Sequence, residues 1–517
     1  MFIMPRSHSF RIQLAGFLFS ILTACLVFTT TAQGPAPNRV DSIHAEELRE
    51  KVTFLASEQL KGRGNGTHEL NLAAEYIAGT FARNGLKPAG DNGGYYQHFD
   101  IYSSRLGSNN DLRIHGASDA DLNLKVRTDF IPELWSVNGT VNGPLQLIED
   151  ESRQDLQGKI AVEVEDRIVS DDPEFPATAT EERRLQDAGA IAVMILQGAT
   201  DRGRGRMVTL AENFRDDLPV RLTAMATIGV PDYPSIPVLM VSADTARQVI
   251  SALHKPQSHV TATITVDVER KIHPTQNVLG LIQGSNLSMK NEVMIVGAHY
   301  DHDGEAYGQI WYGADDNGSG TAAILELAEA FGNGFSAPAR SILLCAWAGE
   351  EKGLLGSRYY VHHPFFPLNR TVAMFQLDMI GRNEEHGENK SQQIPEERPS
   401  ENTNSLNVLG TAFSPDLKAA ISALNAQTNL TLRFRYDFGA EDLMRRSDQW
   451  SFLQRAIPAI FFFTGLHPDY HTPRDTPEKI NYTKLEKITR LVYLTAFQVA
   501  NSPTRPQYVK PGATAAH

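Results

Sequence analysis

The chain has 517 residues, long enough for two or three domains, and its 41 % hydrophobic and 21 % charged residues are those of an ordinary globular protein. A formal net charge of −13 and the lack of an extended basic stripe speak against nucleic acid or an anionic membrane as a partner.

Residues 1–32 read as a signal peptide. Arg6 and Arg11 precede the apolar run "LAGFLFSILTACLVF", and Thr30 and Ala32 fit a small-x-small cleavage rule. The expectation is export, to the periplasm or the medium. A competing reading takes "LTAC" (Leu22 to Cys25) as a lipobox, with a lipid anchor at Cys25. Under either reading only Cys345 remains among the later residues, so no intramolecular disulfide forms. Cys345 lies in the apolar run "SILLCAWA" and reads as a buried small hydrophobe rather than a nucleophile.

Residues 33–124 open the main domain. "EELREKVTFLASEQL" and "ELNLAAEYIAGTFARNG" carry apolar residues at helical spacing and are separated by the glycine-rich "KGRGNGTH". Residues 125–265 change character. Short β-branched runs ("KIAVEVE", "AIAVMIL", "IPVLMVS") alternate with helical pieces, which predicts a separate compact α/β module. "DRGRGR" (Asp201 to Arg206) inside it reads as a flexible surface loop.

Residues 266–502 return to the main domain. "EVMIVGA", "SILLCAWA", "TVAMFQL" and "AIPAIFFFTG" are near-continuous apolar runs of strand length, with amphipathic helices between them. This predicts an α/β fold whose mostly parallel sheet is sandwiched by helices. The polar run from Asn383 to Asn404 predicts a long surface loop or lid, residues 503–517 a disordered tail, and no second membrane span is present.

The chemistry sits where those runs end. His299 and Asp301 follow the first, Glu350 and Glu351 the second, Asp378 the third and "DYHTPRDTP" with His471 the fourth. "GADDNGSG" adds Asp315 and Asp316 at a loop-to-helix junction. Each piece alone is an ordinary turn, cap or loop histidine. Together they converge on the carboxyl edge of one sheet, where open α/β folds bind ligands. Two histidines with several carboxylates and no thiolate suit zinc, or manganese or cobalt in its place. The number of groups exceeds one catalytic zinc and fits a two-metal site, with ions roughly 3.5–4 Å apart and one bridging carboxylate. On this reading Asp315 is the bridge, held by its turn.

"GAHYDH", "GADDNGSG", "AWAGEEKGLLGS", "QLDMIGR" and "DYHTPRDTP" resemble the five metal-site blocks of the co-catalytic zinc aminopeptidase family, which includes bacterial leucyl aminopeptidases, aminopeptidase Y and plasma glutamate carboxypeptidase. The 125–265 module resembles the protease-associated (PA) domain that several members carry as an insertion. The resemblance implies two zinc ions, one held by His299 and Asp378, the other by Glu351 and His471, with Asp315 between them. It implies that Asp301 orients His299, that Asp316 follows a cis peptide aiming Asp315 at the metals, and that Glu350 is the general base. Tyr470 matches a tyrosine that several members use to stabilise the oxyanion; packing is its other reading. Many relatives have Ser-Asp-His where this chain has Ser447, Asp448 and Gln449, a departure expected to touch substrate preference and to lie outside the metal shell.

The function expected is therefore that of an exported zinc aminopeptidase acting on peptides. Alternatives are a carboxypeptidase or dipeptidase of the same fold, a glutaminyl cyclase, and a receptor-like protein without catalysis. Which arginine, if any, of Arg382, Arg445 and Arg446 reaches the pocket is open at this level, as are the preferred terminal residue and the oligomeric state.

Overall fold

The computed structural model describes residues 39–118, 120–148, 155–164, 179–197, 225–227, 234–255, 259–332, 337–387, 396–439 and 442–511. The signal-peptide and lipobox readings and the "DRGRGR" loop lie outside the described residues.

Helices α1 (Ala45–Leu55) and α2 (His68–Arg83) lead into strands β1 (Lys87–Pro88) and β2 (Tyr96–Leu106). Next come β3 (Asp111–His115), β4 (Leu122–Leu124), β5 (Phe130–Pro132), β6 (Gly139–Leu147), β7 (Ile160–Val164), α3 (Ala179–Asp187), β8 (Ala192–Leu196), β9 (Met225–Thr227), β10 (Val238–Val241), α4 (Ala243–Leu253) and β11 (Thr261–Val266). The chain continues through β12 (Val268–Ile282), β13 (Val293–His299), the hairpin β14 (Gly304–Ala306) and β15 (Gln309–Trp311), α5 (Gly320–Phe331), β16 (Ser341–Trp347), α6 (Leu355–His362) and β17 (Thr371–Leu377). It closes with β18 (Ser405–Leu409), α7 (Pro415–Leu424), β19 (Thr431–Arg433), α8 (Gln449–Leu453), β20 (Ala459–Phe463) and α9 (Tyr482–Asn501).

The main sheet has ten strands among the described residues, in the order β19-β18-β20-β17-β13-β16-β12-β2-β9 with β1 beside β12. Its centre, β20-β17-β13-β16, is parallel throughout, so four successive carboxyl ends lie along one edge. Both faces of the sheet are covered, which explains why these strands are buried at every position and nearly all apolar. Met294, Val296 and Ala298 of β13 face one core, with α1, α2, α5 and α9, while Val293 and Ile295 face the other, with α6 and α8. Cys345 of β16 is buried in that second core, as its context implies.

A second sheet, β4-β3-β11-β6-β7-β8-β10-β5, has its own core. It leaves the main sheet after β2 and returns through β12, and these two strands pair antiparallel from Val268↔Leu106 to Val278↔Tyr96. The excursion thus starts and ends at one point. Its sheet begins at Asp111 rather than near residue 125, because Leu112 and Ile114 already pack into this separate core of the excursion. Met225–Thr227 in turn adds an edge strand to the main sheet. No helix among the described residues is long and apolar enough to cross a membrane.

The expected disordered tail is corrected for residues 503–511. The Val509 N–H donates to Phe413 O at 2.8 Å, Arg505 Nη2 donates to Glu292 Oε1 at 2.6 Å, and Tyr508 packs on Phe413. An ion pair and an aromatic contact hold a segment whose composition alone looked unstructured. Removing residues 503–517 is expected to lower the melting temperature by a few degrees in calorimetry, and an unchanged value would mean that these contacts contribute nothing.

Candidate metal centre

The parallel centre of the sheet delivers most of the site. His299 ends β13, Glu350 and Glu351 follow β16, Asp378 follows β17, and the chain after β20 carries His467, Tyr470 and His471. The turn Ala314–Ser319 brings the paired aspartates beneath them, anchored by Asn317 Nδ2 to Leu377 O (2.9 Å) and by Thr321 Oγ1 to His299 O (2.7 Å). Gly313 opens this turn at φ 56°, and a Cβ there would collide with Asp316 O and the His302 ring.

Asp316, not Asp315, lies between the two histidines. Its Oδ1 is 3.3 Å from His299 Nε2 and its Oδ2 is 3.0 Å from His471 Nε2. Asp378 Oδ1 also lies 3.3 Å from His299 Nε2, and Glu351 Oε2 lies 3.1 Å from His471 Nε2. The expected bridging position of Asp315 is therefore corrected by one residue. The physical reason is that Asp315 is used elsewhere. Its Oδ1 accepts the Gly381 N–H at 2.6 Å, and its Oδ2 faces His467 Nε2 at 3.3 Å. The cis peptide is likewise Asp316–Asn317, one bond later than expected.

These contacts are close, yet His299 Nε2, His471 Nε2 and Asp378 Oδ1 make no hydrogen bond although all are buried. Orphaned buried donors and acceptors are rare in folded proteins. Here their atoms converge on shared points rather than on each other, as ligand atoms around a cation do. Two groups result, His302/Asp316/Glu351/His471 and His299/Glu350/Asp378. Nitrogen and carboxylate donors without a thiolate fit zinc or a similar divalent ion.

Glu350 stands slightly apart, with Oε2 3.8 Å from His299 Nε2. Burial, reinforced by Asp378 and Glu351 and opposed by His299, pushes its carboxyl well above the usual range. Glu351 goes the other way: burial opposes its charge, but His471 and His302 hold it well below the usual range. Asp316 is held low as well, its burial outweighed by His299 and His471. Burial raises Asp378, against the pull of His299. Burial disfavours charge on His471, but Glu351 and Asp316 push it up to about 11. A proton and a cation compete for that same nitrogen lone pair.

Several supporting residues were not assigned roles from sequence. His302, the last residue of "GAHYDH", puts Nδ1 2.7 Å from Glu351 Oε1, leaving Oε2 for the His471 side. Ser447 Oγ donates to Asp378 Oδ2 at 2.6 Å. The "RRSDQW" segment thus touches the shell it was expected to avoid, while Gln449 turns away to Met444 O. Asp301 accepts from Asn65 Nδ2 (2.7 Å) and the N–H groups of Glu350 (3.1 Å) and Glu351 (3.3 Å), and His299 Nδ1 lies 3.1 Å from its carbonyl oxygen and 3.8 Å from its Oδ1. Asp301 therefore orients the glutamate pair as well as the histidine. Asp475 Oδ2 accepts the N–H groups of both Asp315 (2.9 Å) and Asp316 (3.1 Å), bracing the turn. Tyr470 lies beside His471 with ring centroids 3.9 Å apart and the rings tilted by 33°, and it lines a cavity with Asp316, Glu350, Glu351 and Asp378. The polar run after Asn383 is packed at its base: Glu384 is buried against Arg435 and Tyr436, and residues 388–395 lie outside the described residues.

Fold and site together define an α/β protein of the zinc-exopeptidase fold with a histidine–carboxylate centre at the sheet edge. Residues 277–496 match Peptidase family M28. The chain is 28 % identical over 387 residues to a probable glutamate carboxypeptidase VP8 of Zea mays, covering 62 % of this chain and 48 % of the relative. It is 27 % identical over 252 residues to aminopeptidase YwaD of Bacillus subtilis, covering 46 % and 47 %. The chain thus spans about half the length of these curated relatives. Among solved structures, an aminopeptidase from Aneurinibacillus sp. strain AM-1 superposes with a TM-score of 0.51 at 21 % identity, covering 92 % of this chain and 97 % of that one, a likeness of fold.

The Asp475 strut gives a direct test. Asp475→Ala leaves two buried N–H groups without an acceptor, at about 1–3 kcal/mol each. The urea midpoint is expected to fall markedly, whereas an unchanged midpoint would remove Asp475 from the support of the Asp316 turn.

Proposed function

We propose that this chain is an exported two-zinc exopeptidase, an aminopeptidase that releases N-terminal residues from peptides. The observation that carries the reading is the placement of Asp316, whose two oxygens face different histidines at 3.3 and 3.0 Å. In this reading His299 and Asp378 hold one ion, His471 and Glu351 the other, and Asp316 serves both. When bound, two such ions supply an activated water near neutral pH and polarise the scissile carbonyl.

The chain's own residues do the rest. Glu350, buried beside the ligand groups with Oε2 3.8 Å from His299 Nε2, would take the proton from the attacking water and pass it to the leaving amine. Tyr470 is kept protonated by burial and by the carboxylates around it, so its hydroxyl remains a donor for the oxyanion. Asp301, His302 and Ser447 fix their neighbours before substrate arrives, as supporting hydrogen bonds to ligand residues do. Residues 1–32 carry the proposal of export, and the 111–266 sheet is proposed as the PA insertion. Relatives bearing both aminopeptidase and glutamate carboxypeptidase names support peptide substrates.

The neighbours Glu350 and Glu351 test the assignment. Glu350→Gln is expected to keep metal content and folding while lowering turnover of amino-acid p-nitroanilides by about two to four orders of magnitude. Glu351→Gln is expected to weaken metal binding instead, and a chelator to abolish wild-type turnover. Exchange of the two phenotypes would exchange the roles, and full activity of both variants would end the catalytic reading.

A further inference from the structure

Of Arg382, Arg445 and Arg446, the first two are already engaged. Arg382 Nη2 lies 3.1 Å from Asp469 Oδ2, with Nη1 3.8 Å from Asp475 Oδ1. Arg445 Nε lies 3.4 Å from Asp442 Oδ1, and its guanidinium sits over the Trp450 ring. Arg446 differs. It lines the same cavity as Asp316, Glu350, Glu351 and Asp378, it is exposed, and among the described residues its guanidinium has no ion-pair or hydrogen-bond partner.

An unpaired surface arginine is unremarkable, but one in a cavity with four carboxylates calls for a physical reason. Each of the four already faces another group: Asp316 faces His299 and His471, Asp378 faces His299 and accepts from Ser447, Glu351 faces His302 and His471, and Glu350 lies 3.8 Å from His299. The remaining wall is apolar, formed by Met379, Leu443, Phe461, Phe463 and Leu466. Once cations balance the carboxylates, Arg446 is the one cationic side chain of that lining, and a guanidinium fork is shaped for a carboxylate. It directly precedes Ser447, which touches Asp378, so its backbone is fixed close to the reacting centre. A peptide advances by roughly 3.5 Å per residue, which puts a carboxylate one residue from the scissile bond within the reach of an arginine side chain.

We propose that Arg446 is the receptor for a substrate carboxylate and makes this site select short or acidic peptides. The inference rests on the peptidase reading above. The carboxylate comes either from the C-terminus of a dipeptide or from an acidic N-terminal side chain.

Two peptide pairs separate the sources: leucyl-leucine against leucyl-leucine amide, and glutamyl-leucine amide against glutaminyl-leucine amide. Hydrolysis of all four is measured for the wild type and for Arg446→Gln. Binding of all four is measured by calorimetry on the Glu350→Gln background, with and without Arg446→Gln, so that binding is read without depending on turnover. A charge-assisted pair predicts at least a tenfold binding preference for the carboxylate member in one pair. Arg446→Gln should reduce that preference to about twofold or less and leave the neutral member unchanged. The pair that responds identifies the source. Equal affinity within both pairs, or a preference that survives Arg446→Gln, overturns the proposal. Preference in binding with no wild-type hydrolysis of any peptide supports the carboxylate receptor while ending the peptidase reading.

Discussion

Everything at the carboxyl edge of the main sheet answers to one constraint: too many carboxylates are buried together. Asp301, Asp316, Glu350, Glu351 and Asp378 are all withdrawn from solvent or nearly so. Each buried charge costs several kcal/mol unless it is paired. Histidine nitrogens, backbone N–H groups and one serine hydroxyl meet part of that demand. They leave His299 Nε2, His471 Nε2 and Asp378 Oδ1 without hydrogen bonds of their own. In the proposed function divalent cations would meet the remainder, and the charge density that destabilises these groups alone would give them their affinity for a cation.

The scaffold makes such crowding possible. The four central strands are parallel and buried on both faces, so their ends are fixed by two hydrophobic cores at once. The turn at Asp316 lies on that platform. Asp475 reaches in from the segment after β20 and holds two consecutive N–H groups of the turn, while Gly381 takes the carboxylate of Asp315. The second sheet hangs from the β2–β12 pair, away from these contacts in the chain, and adds no residue to either ligand group among the described residues.

Much of this was legible in the sequence. Apolar runs of strand length, each followed by a histidine or carboxylate, are a local signal, and they placed His299, Glu350, Glu351, Asp378 and His471 at one edge. The choice between Asp315 and Asp316 was not legible. Adjacent residues of a turn face different ways, and the facing is decided by Gly381, His467 and Asp475, which are far away in sequence. His302 and Asp475 stood inside quoted motifs, but their partners are non-local and nothing in their spacing announced them. Ser447 was dismissed from the shell because the loop carrying it could not be positioned from composition. The tail failed for the converse reason: "PTRPQYVK" looks unstructured, yet Arg505 and Tyr508 find partners on the folded surface.

Asp316 is proposed as the carboxylate shared by two ions, with Asp315 as structural support. Zinc counted per chain, on purified wild-type protein and on the Asp315→Asn and Asp316→Asn variants, tests this most directly. The prediction is two ions for the wild type, two for Asp315→Asn and loss of both for Asp316→Asn. One ion in the wild type, or loss of zinc from Asp315→Asn with retention in Asp316→Asn, would contradict it.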